Sequence, residues 1–119
     1  MEHARIFLVE PDMALFKMLK MMLEKKGHRV VLEARSPRSA LEAAKQVKGY
    51  RVQLAIVDSF VQNGSATRSW GSSIVSVIRK VDPAVVIIAF TADYVESACV
   101  WIPKGGSNIK SLLKTIAEA

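Results

Sequence analysis

The sequence predicts a doubly wound α/β fold, in which a five-stranded parallel sheet carries helices on both faces. Short β-branched runs alternate with longer helical patterns along the chain. The central runs are continuously apolar, which is typical of strands buried on both faces. A length of 119 residues, half of them hydrophobic, suits one core, and no repeat or linker interrupts the pattern. We therefore expect residues 1–119 to form a single domain.

The first strand and the first helix are clearly marked. The apolar run Ile6–Val9 indicates a strand that ends at Pro11. From Met13 to Lys26, apolar residues recur at helical spacing, and Gly27 follows as a stop signal. We expect a helix over this range.

A second strand, a second helix and a central strand follow. Val30–Leu32 fits a strand, and Ser36 before a proline predicts a helix start. We expect this helix to extend to about Val47. The fully apolar run Leu54–Val57 indicates a central strand that ends at Asp58.

The second half of the chain repeats the alternation and ends in a helix. We expect a helix through Ile74 and Ile78 that stops before Pro83, and a strand at Val85–Phe90. A fifth strand is expected at Cys99–Ile102. The final helix is expected to be capped by Ser107, and its apolar face consists of Ile109, Leu112, Leu113 and Ile116.

Composition limits the classes of function. No apolar run is long enough to cross a bilayer or to form a signal peptide, so we expect a cytoplasmic protein. The lone Cys99 excludes an internal disulfide and is expected to be a small buried residue. The net charge of +6 is compatible with solvated helix faces or with a surface that docks an anionic partner.

Polar side chains follow four of the five predicted strands. Glu10 and Asp12 follow the first strand, Asp58 the third, Thr91 the fourth and Lys104 the fifth. Because binding groups in parallel α/β sheets gather at the carboxyl ends of the strands, we expect these side chains to converge. Neighbouring carboxylates repel one another unless a cation intervenes, and a few carboxylate oxygens suit Mg²⁺. Such a cluster fits phosphoryl transfer to a carboxylate, although a buried strand-end Asp58 could simply cap backbone amides.

Four fragments, in their order and strand-end placement, carry a resemblance that covers essentially the whole chain: FLVE before Pro11, AIVD at 55–58, IIAFTA at 87–92 and WIPK at 101–104. The sequence resembles the receiver (CheY-like) domains of two-component response regulators, which have a flavodoxin-like fold. The resemblance implies that Asp58 is the phosphoacceptor, that Lys104 pairs with the phosphoryl group and that the Thr91 hydroxyl moves onto it. Trp101 matches the aromatic position that reports activation, or is a core residue.

The resemblance also implies partners and a cofactor. A histidine kinase or a phosphotransfer protein would donate the phosphoryl group to Asp58, with Mg²⁺ bound by Glu10, Asp58 and, in place of a missing ligand, Asp12. Any enzymatic activity would be limited to self-catalysed phosphotransfer and dephosphorylation. Output would pass through an effector domain, a protein partner or a homodimer, with no direct binding of nucleic acid and no membrane contact.

Several positions depart from the family pattern. Receivers have two adjacent acidic residues after the first strand, but here Pro11 stands second and Asp12 could equally cap the first helix. Glu10 is either a metal-associated acid or a solvated turn residue. The family lysine precedes a proline, whereas here Pro103 precedes Lys104.

Two connections also differ in length from those of the family. The loop after Asp58, which contains the flexible stretch 63–65, is longer than usual, and we expect it to act as a lid or contact surface. The segment from Thr91 to Lys104 is too short for a normal fourth helix, which is therefore expected to be shortened to about one turn at Tyr94–Ala98, or absent. An alternative function follows, that of a phosphorylation-independent pseudo-receiver that acts as a protein-interaction module.

A third function class has less support. A small nucleotide-binding or hydrolytic α/β domain would be expected to carry a phosphate-binding glycine motif. Neither GxxxxGK[ST] nor GxGxxG occurs in the sequence.

Overall fold

The computed structural model describes residues 1–60, 70–92, 98–105 and 108–119. Strands and helices alternate along the chain as predicted. In chain order they are β1 (Arg5–Val9), α1 (Met13–Lys25), β2 (Arg29–Ala34), α2 (Pro37–Ala44), β3 (Leu54–Val57), α3 (Trp70–Val81), β4 (Val86–Thr91), β5 (Val100–Pro103) and α4 (Ile109–Glu118).

The five strands form one parallel sheet in the order β2-β1-β3-β4-β5. The central strand β3 is buried along its whole length, as its continuous apolar run predicted. The strand order reverses direction between β1 and β3, and in doubly wound sheets this switch point opens a crevice at the carboxyl ends of the strands. The predicted doubly wound fold is confirmed.

The core consists of two apolar layers, one on each face of the sheet. Alternation along β1 sends Phe7 to the layer that also contains residues of α2 and α3, such as Ala44 and Ile78. Ile6 and Leu8 point to the opposite layer, together with residues of α1 and α4. The sheet is therefore covered on both sides.

Local signals set the helix ends. Ser36 caps α2 through a reciprocal pair of hydrogen bonds with Ser39, as its position before a proline predicted. Gly27 follows α1 with φ +94°, a left-handed conformation that glycine adopts without strain. The helix α2 ends at Ala44, three residues before the predicted Val47, and the residues from 45 onward form turns instead.

The connection from β4 to β5 is short. Eight residues, 92–99, separate Thr91 from Val100, although a crossover between parallel strands usually takes a dozen or more. The described chain has four helices, which fits the predicted loss or shortening of the helix at this position. The predicted turn at 94–98 lies largely outside the described residues, as do the predicted lid around 63–65 and the predicted cap Ser107.

The prediction for Cys99 is wrong. Its side chain is exposed, and Arg79 Nη2 of α3 lies 3.2 Å from its Sγ. Strand β5 is one edge of the sheet and Cys99 directly precedes it, so no further strand of the described chain lies beyond this residue. None of the helices in the described part of the chain is both long and apolar enough to span a bilayer.

Candidate functional site

Two carboxylates flank the crevice at the switch point of the sheet. Glu10 directly follows β1 and Asp58 directly follows β3, and these strands are neighbours in the sheet. Both side chains are buried, with 1% of Glu10 and 6% of Asp58 exposed. Carboxylates that are this well buried need a partner, because burial disfavours their charged form.

Lys104 supplies that partner. Its ammonium Nζ lies 2.7 Å from Asp58 Oδ2 and 2.8 Å from the Glu10 carboxylate. The lysine follows β5, and its backbone N–H donates to the Thr91 carbonyl at 3.1 Å, which continues the β4–β5 pairing by one residue. The reversed order of Pro103 and Lys104 therefore still allows the side chain to reach Asp58.

The second oxygen of Asp58 is held by the chain that follows it. The Phe60 N–H donates to Asp58 Oδ1 at 2.7 Å, and Phe60 has a φ of +58°. This left-handed conformation is uncommon for a bulky residue, and it follows a turn in which the Asp58 side chain accepts the N–H two residues on. One Asp58 oxygen is thus oriented by the backbone, and the other faces the Lys104 ammonium.

A pair of buried hydroxyls lies beside the carboxylates. Thr91 Oγ1 is 2.8 Å from Ser59 Oγ and accepts a hydrogen bond from the Ser59 N–H at 3.3 Å. Thr91 and Ser59 are each 1% exposed. The convergence of Thr91 with the Asp58 end of β3 was predicted, whereas Ser59 was missed. Its signal in the sequence is a small hydroxyl residue directly after the strand-end aspartate.

Trp101 lies at the surface of β5, with 38% of the residue exposed. Its Nε1–H donates to the Thr91 carbonyl at 3.1 Å, the same oxygen that accepts from the Lys104 backbone. The aromatic ring is therefore linked to the end of β4 by a hydrogen bond and is not a fully buried core residue.

Asp12 caps a helix and, unlike Glu10 and Asp58, does not contact Lys104. Its side chain accepts a hydrogen bond from the Leu15 N–H at 2.9 Å and caps α1, and its own N–H donates to the Glu10 carboxylate at 3.0 Å. Glu10 is thus a buried residue and not a solvated turn residue.

The predicted magnesium ligands do not form a three-carboxylate site. Within the described ranges, no three Asp, Glu, His or Cys side chains are grouped so that they could hold a metal ion. The Lys104 ammonium lies between Glu10 and Asp58, where it already neutralises one of their two charges. These residues therefore do not fit the octahedral, oxygen-rich surroundings that Mg²⁺ prefers.

The electrostatics of the cluster follow from burial and from the ion pairs. Burial raises the pKa of Glu10, and it outweighs the hydrogen bonds from Lys104 and Asp12 that lower it. Burial alone would lower the pKa of Lys104, but the hydrogen bonds and charges of Asp58 and Glu10 hold it above its ordinary value. Lys104 is consequently a permanent cation at neutral pH.

Comparison with known proteins bears on the fold. A curated relative, the transcriptional regulatory protein YvrH of Bacillus subtilis (strain 168), is 41% identical over 58 residues, which are 49% of this chain and 23% of that protein. The CheY-like response regulator receiver domain protein of Methanospirillum hungatei JF-1 superposes with a TM-score of 0.77 at 22% identity, covering 98% of this chain and 92% of that one. The response regulator domain of Thermotoga maritima CheB gives 0.76 at 17% identity, covering 98% and 96%. The chain has the receiver-domain fold.

The receiver-like resemblance predicted from the four sequence fragments is thereby confirmed at the level of the fold. No protein-family model matches the chain. The matched region of YvrH is less than a quarter of that protein, so nothing about the rest of YvrH transfers to this receiver-fold chain.

Proposed function

We propose that this chain is a receiver domain of two-component signalling that accepts a phosphoryl group on Asp58 from a histidine kinase or a phosphotransfer protein. The observation that supports this function best is the contact of Asp58 Oδ2 with the Lys104 ammonium at 2.7 Å, at the carboxyl edge of the sheet. A cytoplasmic location suits this role.

The chemistry requires a nucleophile and a means of stabilising charge on the phosphoryl oxygens. An Asp58 carboxylate oxygen attacks the phosphorus of a phosphohistidine, the P–N bond breaks and its electron pair returns to the imidazole of the donor. The product is an acyl phosphate on Asp58. The Lys104 ammonium stabilises the charge that spreads over the transferred oxygens. The Thr91 hydroxyl, at the end of the neighbouring strand β4, and the Ser59 hydroxyl, directly after Asp58, are the groups that can donate to those oxygens.

The test is modification by a small phosphodonor. The protein is incubated with acetyl phosphate, with and without Mg²⁺, and intact mass is measured beside Asp58→Asn and Asp12→Asn variants. We expect the wild type and Asp12→Asn to gain one phosphoryl group and Asp58→Asn to gain none. A gain that persists in Asp58→Asn, or no gain in the wild type while an ordinary receiver is modified in parallel, contradicts the proposal.

A second candidate function is that of a pseudo-receiver, a protein-interaction module that works without phosphorylation. Pro11 occupies the position of the second acid, Asp12 caps α1, and Lys104 already serves as the cation of the cluster. This candidate predicts no acyl phosphate and no response of the protein to Mg²⁺. The same mass experiment separates the two functions.

Output from either state would pass to an effector domain, to a partner protein or through a homodimer. Light scattering on the purified chain, before and after treatment with the phosphodonor, distinguishes the homodimer from the other two routes. A mass that doubles on treatment in the wild type but not in Asp58→Asn supports a phosphorylation-dependent homodimer, and an unchanged monomer contradicts it.

A further inference from the structure

A cavity that is open to solvent lies away from Asp58, at the amino-terminal ends of β1 and β2. Its volume is about 690 Å³, and it lies between the residues before β1, the end of α1 and one face of α4. Its titratable lining residues are Glu2, His3, Lys26, His28, Lys110 and Lys114. A volume of this size is typical of sites for small molecules.

The cavity has an excess of positive charge that local carboxylates do not neutralise. Three lysines line it against the single acid Glu2. Within the described ranges, Lys26 and Lys110 have no carboxylate within 4.0 Å, and the ion pair of Lys114 with Glu118 spans 4.0 Å between exposed side chains. Such a pair contributes little. The charge of these lysines is therefore available to a ligand.

The lysines of α4 are spaced to contact neighbouring anionic groups. Lys110 and Lys114 are four residues apart on one helix face, a rise of about 6 Å. Lys26 enters from the end of α1. Two or three ammonium groups along one wall suit linked phosphates better than a single charge.

A buried histidine adds a directed donor. His28 is 7% exposed, and its Nδ1 accepts a hydrogen bond from the Ala4 N–H at 3.0 Å. Because Nδ1 is an acceptor, the proton of the neutral ring is on Nε2. Among the described residues, Nε2 has no hydrogen-bond partner. Because every fully buried polar side-chain atom of the described chain does have one, Nε2 is accessible to solvent, and His28 lines the cavity. The ring thus presents an N–H to a ligand.

The second histidine is positioned by the turn at Gly27. His3 Nδ1 lies 3.1 Å from the Gly27 carbonyl, and a Cβ at Gly27 would lie 3.0 Å from the same ring atom. The glycine therefore leaves room for the His3 ring at the rim of the cavity. The same turn satisfies the last α1 carbonyls, because the N–H groups of Gly27 and His28 donate to Glu24 and Leu23.

We propose that this cavity is an anion-binding site for a small molecule that carries two or more linked phosphate groups. Lys26, Lys110 and Lys114 supply the charge, and the His28 N–H supplies a directed hydrogen bond. The site is separate from the Asp58 cluster and does not depend on phosphorylation.

Inorganic pyrophosphate is the probe, titrated calorimetrically at about 0.15 M salt so that distant charges are screened. We expect saturable one-to-one binding to the wild type, and at least about a tenfold rise in Kd for the double variant Lys110→Gln, Lys114→Gln, since charge-assisted hydrogen bonds are lost. The matched control Lys17→Gln, Lys45→Gln removes the same charge elsewhere and should bind as the wild type does, as should Asp58→Asn.

An NMR readout locates the ligand. The ring resonances of His28 should shift on saturation with pyrophosphate, whereas the indole N–H of Trp101 should not. Absence of saturable binding, an equal loss of affinity in the two double variants, or a His28 signal that does not respond would each overturn the proposal. Equal loss would show attraction by net charge alone.

Discussion

Replacing Lys104 with methionine tests the physical basis of the candidate site. The substitution keeps an apolar stem of similar length and removes the ammonium that lies 2.7 Å from Asp58 and 2.8 Å from Glu10. Two buried carboxylates then face each other at one edge of the sheet without their shared cation. The fold must either keep both charges unpaired or take up a proton.

The magnitude follows from the lost hydrogen bonds and the remaining charges. Two charge-assisted bonds contribute about 1.5–3 kcal/mol each, and breaking a buried pair costs about 3–5 kcal/mol. Because 23% of the Lys104 side chain is exposed, water can reach part of the vacated space and screen the carboxylates. We therefore expect a loss of about 2–4 kcal/mol at pH 7.5, out of a total of about 5–15 kcal/mol for a domain.

The pH dependence gives this prediction a second readout. Burial already raises the pKa of Glu10, and removal of the ammonium raises it further. The folded variant then binds more protons than the unfolded chain between the unfolded pKa of Glu10 and its folded value. Its stability is therefore gained as pH falls through the folded pKa and is lost as pH rises. The deficit against the wild type should shrink between pH 7.5 and pH 5.

Urea denaturation at both pH values measures these quantities. Lys20→Met is the matched control, because Lys20 forms a 2.6 Å ion pair with Glu33 in which both side chains are more than a third exposed. We expect that control to lose less than about 1 kcal/mol. A loss in Lys104→Met no larger than in the control, or a deficit that stays constant from pH 7.5 to pH 5, would refute the ion-triad reasoning.

Three further substitutions test other parts of the fold. Thr91→Val removes the acceptor for Ser59 and should cost about 1–2 kcal/mol in urea, whereas Thr91→Ser should cost less; equal losses would contradict a role for the hydroxyl. Burial, with the nearby amino terminus and His3, lowers the pKa of His28 below 6.5, so the unfolded chain binds more protons there and stability is lost as pH falls below 6.5. The melting temperature of His28→Gln should therefore fall less than that of the wild type from pH 7 to pH 5. Parallel profiles of the two proteins would exclude this account. Ser36→Ala removes the cap of α2 and should cost about 0.5–2 kcal/mol in guanidinium chloride, with an unchanged midpoint as the contrary result.

Much of the fold was predictable because local signals and burial agree. The run Leu54–Val57 is apolar throughout and is a strand buried on both faces, and Ser36 and Gly27 mark helix ends by their own chemistry. The strand β2 was underestimated because Glu33 breaks its apolar pattern, and its pairing with β1 extends it to Ala34. Pairing between strands is a tertiary effect that a single run does not reveal.

The site was predictable in outline because parallel strands end at a common edge. That rule places Glu10, Asp58 and Lys104 at the same edge of the sheet, and the long side chain of Lys104 spans the distance from β5 to the two acids. The left-handed backbone at Phe60 was not predictable, since no residue type at this position demands it. The exposure of Cys99 was missed for a similar reason, because sequence periodicity does not show which strand lies at the edge of a sheet.

The choice between phosphoacceptor and pseudo-receiver depends on the charge that the site can hold. Glu10, Asp58 and Lys104 together carry a formal charge of −1 when both acids are ionised. An acyl phosphate on Asp58, with a charge of about −2 in place of −1, takes the cluster to about −2 around a single ammonium. In a receiver-fold site with a second acid and a bound divalent cation, the cation would offset the added negative charge of the phosphoryl group. Here Pro11 stands in the place of that acid. Stable phosphorylation of Asp58 therefore requires either a cation from solution or protonation of Glu10. Because the pKa of Glu10 is already raised, we expect Glu10 to be the group that takes up a proton and lowers the negative charge of the cluster.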